Sequence, residues 1–292
     1  MKISSLPMLS RSCVCGVVAW LSALEAVAAP GADAEKAKPA SAKVAMVKDG
    51  FANSLGISFR AVPGTDVFFS VWLTRVKDFK AFAEETGLES IRWKTLKFEQ
   101  GEDHPVVNVT WEEANAFCAW LTAKEHEKKI LPPNMVYQLP SDLEWSAAVG
   151  LIGEIGETPE ERDLKEPGIY PWGEAWPPPK GAGNFTGVET KSQVAIPGYD
   201  DGFPFTSPVG SFPANQFGLF DMSGNAWEWT SDRWNHGSGS RVLRGASWYN
   251  GALKLSLLSS CRVHGPPNKT MDNYGFRVVI SLSREADPDK PK

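Results

Sequence analysis

The run Asp221-Met-Ser-Gly-Asn-Ala-Trp-Glu-Trp229 gathers two carboxylates, an amide, a glycine and two indoles within nine residues. Oxygen donors spaced along a tight turn that glycine permits are what a hard cation such as Ca²⁺ requires. Trp227 and Trp229, two positions apart, anchor one side of the chain that follows. A solvated loop has no use for so much aromatic area. Taken by itself, the same run also reads as an acidic turn ahead of a buried strand.

Other reactive residue types are not arranged for a familiar reaction. The four histidines, His104, His126, His236 and His264, include no pair with the spacing of a metal-binding helix. Cys261 and His264 are three apart, and on an extended segment they face opposite ways, which speaks against a thiol–imidazole pair. Gly245-Ala-Ser-Trp-Tyr249 lacks the second glycine of a nucleophile elbow, so Ser247 is not a hydrolase serine. No phosphate-binding loop or dinucleotide fingerprint occurs. A formal net charge of −5 argues against a nucleic-acid partner.

The chain has 292 residues. Lys2 and Arg11 precede a mostly apolar run that ends in Ala26-Val-Ala28, so residues 1–28 read as a secretory signal peptide, with a retained N-terminal anchor as the alternative. Residues 29–45 have almost nothing to bury and read as a disordered linker. Residues 46–283 would form one domain, followed by a polar tail, 284–292. The expected location is exported: periplasmic, envelope-associated or secreted. Of four cysteines, Cys13 and Cys15 leave with the signal. Cys118 and Cys261 remain, as two buried thiols or as a disulfide.

The elements that must position these groups are few. Strand-like runs fall at 57–62 and 67–73, around a Pro63-Gly64 turn. Thr74 caps a helix through Glu85, with Gly87 as its stop. Thr110-Trp-Glu-Glu113 and Ser141-Asp-Leu-Glu144 are capping boxes that open two more helices. Trp111, Trp120 and Trp145 belong to these helices and read as core. Residues 151–170 read as an acidic surface insertion. From 170 to 218 the chain is loop, rich in Gly, Pro and aromatics, and needs something to rigidify it; a bound metal would do so. Strand signals return at 241–248 and 275–280, the last closing a sheet with the early strands.

In this order the landmarks resemble the formylglycine-generating enzyme, or sulfatase-modifying factor, family. They include Asn53-Ser-Leu-Gly56, Pro105-Val-Val-Asn-Val-Thr-Trp111, Leu139-Pro-Ser-Asp-Leu-Glu-Trp145 and Tyr170-Pro-Trp-Gly173. Gly224-Asn-Ala-Trp-Glu-Trp229, Arg244-Gly-Ala-Ser-Trp248 and Gly275-Phe-Arg277 complete the pattern. The resemblance implies an α+β fold: an irregular, loop-rich, mixed single domain related to C-type lectins. It also implies two structural calcium sites. One would use the Asp221 and Glu228 carboxylates with backbone oxygens of Gly224 and Ala226. The other would use Asn184 and Asp201 side chains with carbonyls of Phe185 and Phe203.

The family's oxidase copper centre requires two cysteines, and their positions here fall on Asn250 and Leu255. Copper is therefore not expected. The family's substrate groove would lie near Ser247, Trp248, Tyr249, Asn250 and Arg262, as a cleft for an unknown peptide, protein or small ligand. The expectation is an exported, calcium-stabilised binding or accessory module without formylglycine-generating activity. The alternative is an oxidoreductase of the same family with an unrecognised redox centre.

Overall fold

The computed structural model describes residues 50–283. The expected signal peptide, linker and polar tail lie outside the described residues. Two four-stranded sheets and three principal helices carry the regular structure, and irregular chain fills the rest.

The first sheet starts with β1 (Phe59–Ala61) and β2 (Phe68–Ser70), both shorter than the runs that signal them. Helix α1 follows (Val76–Thr86), and its N-cap is Arg75 rather than the expected Thr74. The Asp78 carboxylate accepts from the Arg75 backbone N–H at 3.0 Å and from its Nε at 2.9 Å, so an ion pair replaces the hydroxyl cap. Gly87 ends the helix in the left-handed region at φ 68°, where a side chain would be strained. Helix α2 (Trp111–Glu127) carries the Thr110 capping box, with Glu113 N–H donating to Thr110 Oγ1 at 3.0 Å. Its apolar face buries Ala114, Phe117, Cys118 and Leu121. Strand β3 (Met135–Gln138) follows, and then α3 (Asp142–Val149) with its Ser141 cap.

A single helical turn, α4 (Pro159–Arg162), precedes the long irregular stretch. The second sheet then forms from β4 (Trp227–Arg233), β5 (Arg241–Arg244), β6 (Val263–Gly265) and β7 (Tyr274–Gly275). The chain closes with β8 (Val279–Leu282). Strand β8 lies between β2 and β3, with Phe68 opposite Ile280 and Tyr137 also opposite Ile280 on the other side. The C-terminal strand therefore joins the early ones, as the sequence suggests. Strand order in the second sheet is β6-β5-β4-β7, so β4 is central. Its position explains why Trp227 and Trp229 both enter the main hydrophobic core.

Trp145 is buried, whereas Trp111 and Trp120 are only half-buried against the core. The guanidinium of Arg241 lies 3.8 Å from the Trp111 ring centroid. Residues 151–170 are more than a surface insertion. Glu154 and Arg162 turn inward to a buried charge network described below, even though Ile152 and Ile155 remain exposed. Among the described residues, no helix is long and apolar enough to cross a membrane.

Candidate functional site

The Asp221 turn sits just before β4 and is shaped by three left-handed residues within five positions. Asp221, Gly224 and Asn225 have φ of 54°, 79° and 64°. Such a path turns backbone groups and side chains inward at once. One Asp221 oxygen, Oδ2, accepts from Gly210 N–H at 2.8 Å. The other, Oδ1, is buried with no hydrogen-bond partner. Burial pushes the Asp221 carboxyl up to about 6, and the nearby Glu228 adds to the rise. An orphaned carboxylate oxygen in the interior is costly unless something neutralises it.

Glu228, expected as a calcium ligand, already has a cation. Arg277 Nε donates to its Oε2 at 2.6 Å, and Nη2 donates to Oε1 at 2.7 Å. Trp145 Nε1 adds a bond to Oε2 at 2.9 Å. Oε1 keeps one free lone pair, since a carboxylate oxygen accepts two bonds. The orphaned Asp221 Oδ1 fits a cation; a calcium there would be held chiefly by Asp221, with Glu228 shared with Arg277, and the expected backbone oxygens are those of Gly224 and Ala226. An open cavity of about 250 Å³, lined by Trp172, Lys180, Phe212 and Asp221, gives an entry path.

The second expected site is coupled to the first. Asn184 forms a parallel bridge with Gly224, and its carbonyl accepts from Asn225 N–H at 3.0 Å. Asn184 is fully buried; its Nδ2 donates to the Phe205 carbonyl at 2.8 Å, but its Oδ1 has no partner. Asp201 accepts from Phe185 N–H at 2.7 Å and Phe203 N–H at 2.9 Å. That is the hydrogen-bonding pattern of an Asx turn, and it leaves two lone pairs for a cation. Burial pushes the Asp201 carboxyl up to about 7. Glu189, which the sequence reading passed over, raises it further and has its own unpartnered buried oxygen, Oε2. Asn184 Oδ1 and Glu189 Oε2 are each left unpartnered, and oxygen donors of this kind are the type calcium takes. An open cavity of about 480 Å³ borders Asp201, and Lys180 lines it as well. The signal for Glu189 was its carboxylate four residues after Phe185.

The expected groove is only partly assembled. Trp248 and Tyr249 line a cavity of about 160 Å³ with Phe205, Pro204, Val194 and Thr186. Ser247 does not face it. It is fully buried, donating to Asn250 Oδ1 at 2.8 Å and accepting from Asn273 Nδ2 at 2.9 Å. Arg262, expected at the groove, lies elsewhere. Its side chain is 0% exposed and joins Arg244 and Arg162 around Asp142. Arg262 Nε lies 2.9 Å from Asp142 Oδ1, and its Nη2 lies 2.7 Å from Glu154 Oε2. Burial would raise the Asp142 carboxyl, but Arg244 and Arg262 outweigh it and hold it at about 2. The cluster ties α3 and the chain after it to the second sheet, which is why this arginine serves packing rather than a ligand.

At the positions of the family's cysteine pair, the side chains are occupied otherwise. Asn250 Oδ1 accepts from Ser247 N–H at 2.9 Å as well as from its hydroxyl, so the amide braces the turn. Leu255 lies in a short helical turn, Lys254–Leu257, and is exposed. The two described thiols, Cys118 and Cys261, are free and buried. Burial pushes Cys261 up to about 12 and Cys118 higher still. Soft metals bind the thiolate, which neither environment favours. Among the described residues, no group of three or more His, Cys, Asp or Glu converges as a metal site.

The chain is 34% identical over 187 residues to the inactive C-alpha-formylglycine-generating enzyme 2 of Mus musculus, covering 62% of this chain and 50% of that one. It is 30% identical over 194 residues to the formylglycine-generating enzyme of Bos taurus, covering 61% and 44%. The chain thus spans about half the length of the curated relatives it matches. PvdO from Pseudomonas aeruginosa shares the fold with a TM-score of 0.55 at 21% identity, over 77% of this chain and 90% of that one. A family model, the sulfatase-modifying factor enzyme 1-like domain, matches residues 69–282. The chain belongs to the sulfatase-modifying factor family.

Proposed function

We propose that this is an exported, calcium-stabilised member of the family that works as a binding or accessory module and does not generate formylglycine. The observation that carries the reading is the pair Asn250 and Leu255 at the copper-ligand positions, with the Asn250 amide committed to Ser247. Neither side chain supplies a thiolate, and Cu(I) prefers sulfur ligands. The similarity to relatives described as inactive formylglycine-generating enzymes supports it. Export is proposed from the N-terminal sequence alone.

The bound calcium would hold the loop between 184 and 230 in shape and take no part in redox chemistry. Asp221, Asn184 and Asp201 are the residues that would hold it, with Glu228 and Glu189 adding oxygen. The ligand or partner would meet the cleft at Trp248 and Tyr249. The test is incubation of the purified, Cu(I)-loaded protein with a sulfatase peptide containing cysteine. No aldehyde above the protein-free control is expected; aldehyde formed with turnover would overturn the reading and favour the oxidoreductase alternative.

A further inference from the structure

We propose that the loop 151–156 is a docking finger. Its two outward isoleucines enter an apolar cleft on another protein, and lysines or arginines bordering that cleft meet the glutamates beside the finger. This surface is separate from the cleft at Trp248, and the inference does not depend on what that cleft binds.

Ile155 is 88% exposed and Ile152 75%, more than any other large hydrophobic side chain among the described residues. Single apolar residues in water are ordinary, but these two are held there. Between them Glu154 turns inward, with its side chain 2% exposed. Arg262 grips both of its oxygens, donating from Nη1 to Oε1 at 2.9 Å and from Nη2 to Oε2 at 2.7 Å. A bidentate pair of this kind fixes orientation as well as position.

Two more bonds close the base of the loop. Leu151 N–H donates to the Ser146 carbonyl at 2.8 Å, and Arg162 Nη1 donates to that of Gly156 at 2.8 Å. Gly156 has φ 139°, and a Cβ there would run into the side chains of Glu161 and Arg162, so the loop lies close on the chain that follows it. Burying an ion pair is costly in desolvation, whereas burying isoleucine is favourable. Here the carboxylate goes in and the isoleucines go out. That arrangement opposes the usual preference of folding and suits recognition, because a loop ordered beforehand loses less entropy on binding.

Charge sets the partner's sign. Residues 151–166 carry six carboxylates and two basic groups. Glu154 and Arg162 belong to the buried network around Asp142, and Asp163 accepts from Arg262 N–H at 2.8 Å. Glu157, Glu160 and Glu161 are exposed; with the half-buried Glu166 they form no ion pair among the described residues. Glu157 N–H donates to Glu161 Oε2 at 2.8 Å, and Asn235 Nδ2 holds Glu160 Oε2 at 2.8 Å. The opposing charges are Lys165 on the same segment and Arg233 on β4, whose guanidinium turns to the Ser238 carbonyl at 3.2 Å. The imidazole of His264 stacks on Trp234 at 4.4 Å. The flank therefore stays negative, which repels an anionic lipid surface and selects a basic protein partner.

Disulfide-cyclised random peptides displayed on phage, selected on the whole protein, supply the probe. The expected enrichment is large apolar residues interleaved with Lys or Arg. Peptides from that pool should bind the double variant Ile152→Ser, Ile155→Ser about tenfold more weakly. That variant changes only exposed positions and should melt like the parent protein. Glu157→Lys should slow association and weaken its salt dependence. Glu154→Gln keeps both isoleucines but loosens their mount, so it should weaken binding and speed backbone hydrogen exchange at 151–156. No enrichment, enrichment without basic residues, or binding undiminished in the double variant would overturn the proposal. Cosedimentation with phosphatidylglycerol vesicles, abolished by the same two substitutions, would overturn it in favour of a membrane anchor. A dimer in sedimentation equilibrium that dissociates in the double variant would overturn it in favour of a second copy of this chain. None of these outcomes touches the reading of Asn250 and Leu255, which the aldehyde assay tests separately.

Discussion

Removing the Arg277 guanidinium would strand Glu228 in the interior with only the Trp145 N–H for a partner. Breaking a buried pair from one side costs about 3–5 kcal/mol. Arg277→Met should therefore lower the urea-unfolding free energy by about that much. Adding Glu228→Gln to the same chain should recover part of the loss, because a neutral amide is cheaper to bury. An Arg277→Met protein as stable as the parent would show that the pair holds nothing. The same contact explains what could be read at this scale. The Asp221 turn draws notice from its own residues, oxygen donors around Gly224, whereas Asn184 and Asp201 enter only through the family resemblance. Arg277 is 49 positions from Glu228, and Arg262 is 120 positions from Asp142. No local pattern reports a partner that far away, so the sequence alone points Arg262 to the groove and Glu228 to calcium, and the fold gives each a buried charged partner instead.

At the scale of elements, local chemistry was readable and pairing was not. The Thr110 and Ser141 capping boxes place the starts of α2 and α3 where the sequence puts them, and Gly87 and Gly150 end their helices in left-handed conformation. Strands β3 and β6 were missed: each has at most four residues and is defined by its neighbours. The bridge between Asn184 and Gly224 was equally hidden, although it joins the two candidate calcium sites. Gly224 sits at φ 79°, and a Cβ there would run into the Asn184 backbone oxygen. Gly224→Ala should thus cost more than the roughly 1–3 kcal/mol of left-handed strain. The damage should begin locally, so limited proteolysis should cut within 184–224 before the rest of the chain. Cleavage spread evenly over the chain would deny the bridge its role.

For the whole molecule, the question is what keeps a long irregular segment ordered between two short-stranded sheets. Its interior contains Asp201 and Asp221, with carboxyls pushed up to about 7 and about 6. In an unfolded chain these groups would titrate near 3.9. A folded value above the unfolded one means the fold favours the protonated form. Their contribution is therefore complete below about pH 4 and lost as pH rises toward 7. With calcium chelated, the melting temperature should fall across that window. Calcium should reverse the trend, since a divalent cation favours the ionised carboxylates. A ligand present at a hundred times its dissociation constant stabilises by about 2.7 kcal/mol. A domain of this size shifts by roughly 2–4 °C per kcal/mol. Each filled site should then raise the melting temperature at neutral pH by about 5–10 °C. Magnesium should restore less, because its smaller octahedral shell tolerates these loop oxygens poorly. Identical melting curves in chelator and in calcium at neutral pH would mean that the orphaned oxygens of Asp221 and Asn184 hold no cation, and that packing alone orders the segment.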